Sequence, residues 1–224
     1  MTTSEFTKKL QLDIKKLEVR EKATGNVFDQ LISKRIMLRR LEQLKANRSI
    51  EYRGFSVSAK ENMTGSSAAA KAQGHYLVGQ PIVFNKQTNI GWFDEIIDSK
   101  ALNGANLNDV CFLVNHDQDM IPLARSKRNQ MGSTMHITIN NSGLNIRVDL
   151  DTENNPVSKS LFSAVRRGDI SGMSFGFVVD KDSWENIESD HPTRCILSIK
   201  KVIEVSAVTY PAYNQTSIKI AKGE

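Results

Sequence analysis

Three residues able to take part in acyl transfer stand on three separate segments: His116, Ser174 and Glu204. Ser174 lies in residues 166–178, RRGDISGMSFGFV, where a charged helix end runs into an apolar, glycine-punctuated strand that also carries Ser171. Serine and glycine both weaken a strand's packing, so such a strand marks close approach by a ligand or another backbone, or else a tightly curved barrel wall. A serine held there becomes an acyl-transfer nucleophile if the fold brings a base beside it. Ser171 and Ser174 are separated by an odd number of residues, so a regular strand points them to opposite faces.

His116 ends the nearly continuous apolar run of residues 109–115, DVCFLVN. A general base must be held firmly yet stay open to substrate, and a strand terminus offers both. Imidazole also has the intrinsic pKa for proton transfer near neutral pH. The plainer alternative is a hydrogen-bonded histidine at a strand end. His75 opens a strand, His136 alternates within one and His191 lies in a polar stretch, so none of these asks for a special role. Glu204 sits in residues 202–208, VIEVSAV, where strand alternation places it on one face with Val202 and Ser206. A carboxylate in such a run is either on a solvated face or paired in the interior, and an imidazole N–H is a suitable buried partner. The three types make a nucleophile, base and orienter, but nothing in their spacing forces them together. No histidines or acids stand at metal-ligand spacing and no glycine-rich phosphate loop is present, so no metal or cofactor is expected.

The elements that must position these residues follow from pattern. From His75 onward the chain reads mostly as β: strands over 75–84, bent at Gly79–Pro81, then 92–97 and 109–115. A hairpin over 131–140 and 144–150 turns at Asn140-Asn141-Ser142-Gly143. A helix over 155–167, with Pro156 in its first turn and Gly168 at its end, leads into the serine strand over 170–180. Residues 181–193 read as a polar loop, and 195–209 as one long strand or two joined by a bulge, turning at Tyr210–Tyr213. About eight strands with one main helix make a β-rich α+β domain, and a closed barrel is the economical way to remove its edges.

Before that body come two amphipathic helices, over 4–22 and 27–46, which read as a basic helical hairpin or arm occupying 1–50. A short strand from Glu51 follows. Residues 59–74, AKENMTGSSAAAKAQG, read as a loop or linker open to proteolytic nicking, so 51–74 separates the arm from a body over 75–220. Residues 1–50 hold 12 Lys+Arg against 6 Asp+Glu, a balance of +6, and the other 174 residues hold 18 against 19, a balance of −1. A near-neutral body argues against nucleic-acid binding there. The apolar runs are too short to span a bilayer, and the first residues do not read as a secretory signal. Cys111 and Cys195 form no CxxC pair and read as buried, reduced thiols of a cytosolic protein.

At these residues the sequence resembles the tailed-phage prohead, or capsid maturation, proteases. The resemblance covers roughly 75–215 and rests on six fragments in order: VGQPIVFN, FDEIIDSKAL, LVNHD, GLNIRVDL, RRGDISGMSFGF and IEVSAVTYPAYN. It implies the fold of the herpesvirus assembly proteases, a compact closed β-barrel surrounded by helices. It also implies His116, Ser174 and Glu204 in the roles of base, nucleophile and orienting acid, with Arg125 as a possible oxyanion helper. The implied activity is a serine endopeptidase that cleaves capsid and scaffold precursors, and itself, inside the assembling prohead in the host cytoplasm. The implied partners are the major capsid protein precursor and the scaffold protein, with self-association. The arm and linker lie outside the resemblance, where they could bind scaffold or be trimmed. The competing reading is a non-catalytic scaffold or capsid-assembly module that binds partners through the arm.

Overall fold

A computed structural model describes residues 1–24, 27–46, 50–55, 75–127, 132–210 and 217–220. The expected linker 59–74 and the turn at 211–213 lie outside the described residues. In chain order the elements are α1 (Thr3–Thr24), α2 (Phe28–Ala46), β1 (Glu51–Phe55), β2 (His75–Val83), β3 (Thr88–Asn89), β4 (Asp94–Ile97), β5 (Asp109–Val114), β6 (Ala124–Lys127), β7 (Met135–Asn140), β8 (Gly143–Leu150), α3 (Pro156–Arg167), β9 (Gly172–Glu185), β10 (Thr193–Val208) and β11 (Ser217–Ile220). The protein is β-rich, and the N-terminal helical arm is present as α1 and α2.

The described strands do not show the expected closed barrel. The described strands form two sheets, neither of which closes. One has seven strands: β1-β9-β10-β4-β3, with β5 also pairing β10 and β6 pairing β5; the other has four, in the order β11-β2-β8-β7. Closure requires a continuous ladder around the wall. Among the described residues the bonds between the two sheets include Thr134 N–H to the Arg125 carbonyl (3.1 Å), Arg125 N–H to the Thr134 hydroxyl (2.9 Å), and Ile218 N–H to the Ser171 carbonyl (3.2 Å).

The chain divides into two compact units. The first comprises 1–51, 85–103 and 178–199. Its core is aromatic: Phe6 and Leu10 of α1 and Leu41 of α2 bury themselves with Phe93 and Trp184. Beside it, Ile14, Leu17, Val27 and Leu31 close the helical hairpin. Arg194 is buried among three carboxylates, with its Nε on Asp182 (2.9 Å) and its Nη1 on Glu51 (2.7 Å) and Glu95 (3.3 Å). Burial works against its charge, but these acids outweigh that effect and raise the guanidinium pKa. Asp182 in turn accepts from the Thr3 hydroxyl (2.5 Å), which fastens the start of α1. This network accounts for β9 running on to Glu185 where the sequence reads as a loop: Asp182 has partners in Thr3 and the buried Arg194, and only Trp184 carries an apolar signal.

The second unit comprises 52–84, 104–177 and 200–224. The hairpin β7–β8 forms as its turn residues dictate, with the Asn140 side chain accepting from Ser142 N–H (2.9 Å) and Gly143 N–H (3.2 Å). Position 143 must be glycine, because its φ is +149° and a Cβ would lie 1.9 Å from the Ile82 carbonyl oxygen. The bend expected near Pro81 is a register shift between Gly79 and Ile82. Asn155 caps α3 by accepting from Val157 and Ser158 N–H, and Gly168 ends it in the left-handed region at φ +81°. The chain then enters β9, whose positions 172–177 are all buried.

Candidate active site

The site is built on a parallel strand pair. β5 and β10 run side by side with Glu204 opposite Cys111, Ser206 opposite Leu113 and Ala207 opposite Val114. Beyond Val114, Asn115 N–H still reaches the Ala207 carbonyl (2.9 Å). The chain then reverses through two consecutive left-handed residues, Asn115 (φ +51°) and His116 (φ +60°). Asparagine tolerates that conformation and histidine adopts it at a cost, so the turn needs support. Support comes from the Asn115 side chain, which accepts from Thr209 N–H (2.9 Å), and from Asp117 N–H, which donates to the Val114 carbonyl (3.1 Å).

The turn carries the imidazole back over β10. His116 Nδ1 lies 2.7 Å from Glu204 Oε1, and His116 Nε2 is hydrogen-bonded to the Ser174 hydroxyl. Glu204 and Ser174 are fully buried, while the imidazole keeps about a quarter of its surface exposed. A buried carboxylate accepts the Nδ1 proton, which leaves Nε2 as the acceptor facing the serine. The three residues singled out from sequence are therefore brought together. Ser171 is not among them: it is exposed, precedes β9, and offers its carbonyl to Ile218. Arg125 is engaged elsewhere, its guanidinium held in a fork by Asp109 at 2.5 and 2.7 Å.

Two neighbours were not singled out as parts of a site. Ser206 donates its hydroxyl proton to Glu204 Oε2 (2.5 Å) and accepts His116 N–H (3.3 Å). Its sequence signal was its shared strand face with Glu204. Tyr52, on β1, sets its ring edge-on to the imidazole with centroids 4.7 Å apart, and its hydroxyl accepts from Gln118. No spacing rule links Tyr52 to His116. Burial pushes the Tyr52 phenol pKa up, and the Glu204 charge adds to that. Burial likewise raises the Cys111 thiol, so it stays protonated at neutral pH and does not compete as a nucleophile. Both cysteines are free and half-buried. Among the described residues no group of three or more His, Cys, Asp or Glu side chains is placed to hold a metal ion.

With this geometry in view, the family model of the caudovirus prohead serine protease matches residues 61–224. The chain belongs to that family. It is accordingly a phage serine protease of capsid maturation, and the region shared with the family contains His116, Ser174 and Glu204. The helices α1 and α2 and the strand β1 fall outside the match. No curated protein and no solved structure matches the chain. Among the described residues no helix is long and apolar enough to cross a membrane.

Proposed function

We propose that this prohead protease is a Ser-His-Glu endopeptidase. The observation that carries the reading is one imidazole held on both sides, by Glu204 at Nδ1 and by Ser174 at Nε2. Ser174 Oγ attacks the scissile carbonyl carbon while its proton passes to His116 Nε2. The imidazolium is stabilised by Glu204, then returns the proton to the leaving amine as the C–N bond breaks. Water, deprotonated by the same nitrogen, hydrolyses the acyl-enzyme and frees the serine. Ser174 has no exposed surface in the unbound chain, so substrate entry requires its neighbours to give way.

The substrates are capsid and scaffold precursor chains, cleaved inside the assembling prohead in the host cell, with the small-residue stretch 59–74 as a site of self-trimming. These follow from the family and the composition of that stretch. The arm over 1–50 is read as a docking segment, 51–74 as the separator and 75–220 as the protease body. The links Thr134–Arg125 and Ile218–Ser171 between the two sheets support a barrel-like wall related to that of the herpesvirus assembly proteases.

The test is Ser174→Ala co-expressed with the phage capsid and scaffold precursors. The variant is expected to fold as the parent does and to leave both precursors, and itself, uncut. Continued processing would remove Ser174 from the reading, and Ser171→Ala is expected to process normally.

A further inference from the structure

Ser206 closes a ring of hydrogen bonds that the three-residue mechanism does not use. Its hydroxyl proton goes to Glu204 Oε2, Glu204 Oε1 accepts from His116 Nδ1, and His116 N–H returns to Ser206 Oγ. All the groups of this ring except the imidazole are closed to solvent, since Glu204 and Ser206 are both fully buried. We propose that Ser206 is a positioning residue of the protease, fixing the Glu204 carboxylate and the left-handed backbone of His116 as one unit. The inference rests on the Ser-His-Glu reading.

Each bond has a separate consequence. The donation to Oε2 locks the carboxylate rotation that leaves Oε1 facing Nδ1. It also supplies a donor to the second carboxylate oxygen, which has no water to turn to. The acceptance from His116 N–H pins the backbone of a residue at positive φ, and so fixes where the imidazole can swing. An alternating strand places Glu204 and Ser206 on one face of β10 at a distance set by the backbone, so the pair needs no other element to assemble. Among the described residues, Tyr52 from β1 and Cys111 from β5 are titratable groups that feel the Glu204 charge.

Removing the hydroxyl leaves Oε2 without its donor in a dry site, which makes protonation of the His-Glu pair more favourable. The test measures the rate of covalent labelling by a serine-reactive phosphonate against pH, in the full chain. Ser206→Ala is expected to lower the plateau rate by roughly tenfold or more and to move the acid limb of the profile to higher pH. Ser206→Thr, which keeps the hydroxyl, is expected to return the limb to its original position. A limb unmoved in Ser206→Ala, or displaced equally in Ser206→Thr, overturns the proposal. Should Ser206→Ala not fold, Ser206→Cys keeps a weak donor in nearly the same volume and must give a displaced limb; an unmoved one overturns the proposal equally. Ser174→Ala run alongside separates the two readings. If it still labels, the nucleophile assignment fails. If it does not label and the Ser206→Ala limb stays put, the role of Ser206 alone fails.

Discussion

In the proposed triad, the His116 backbone is bent into an unfavourable region and then held there. Two successive left-handed residues bring the ring back over β10, and Asn115, Thr209 and Ser206 secure the turn. Tyr52 adds an edge-on aromatic contact, of a kind worth about 1 kcal/mol. Its phenol is raised by burial and by the charge of Glu204. A raised folded-state value means that the phenol's contribution to stability is full below its unfolded value, about 10, and is lost as pH rises through the folded value. Tyr52→Phe keeps the ring and removes the ionisation. Its urea midpoint is therefore expected to fall less than that of the parent between about pH 8 and 11, and an equal fall in both would remove this role of Tyr52.

At the scale of elements, the arm is part of a core. Leu41 is fully buried and shares a cluster with Phe6, Leu10, Phe93 and Trp184. Leu41→Ala is expected to destabilise the first unit by about 2–5 kcal/mol, seen as a lowered melting temperature and greater exposure of Trp184 by fluorescence. An unchanged melting temperature would mean that the helices do not pack there. The sequence made α1, α2, α3, β5 and the β7–β8 hairpin legible because each carries an unbroken period or an explicit turn and cap. It concealed β6 and the end of β9, where polar residues dominate and where a partner can lie far along the chain, as Thr3 does for Asp182. It also suggested a barrel, since short alternating strands cannot reveal whether the last ladder closes.

At the scale of the whole molecule, the site draws on more of the chain than the family match covers. His116, Ser174 and Glu204 fall within residues 61–224, but Tyr52 lies before them. The residue types of the site were legible, since a histidine at a strand end and a glutamate in a valine-rich strand both call for partners. Their meeting was not, because it depends on the parallel pairing of β5 with β10, and 88 positions separate His116 from Glu204. The most direct measurement of the central claim is to label the protease chain with a serine-reactive phosphonate and locate the adduct by peptide mass spectrometry. The account predicts a single adduct on Ser174, abolished by His116→Ala. An adduct on Ser171, or labelling of Ser174 that persists without His116, would contradict it.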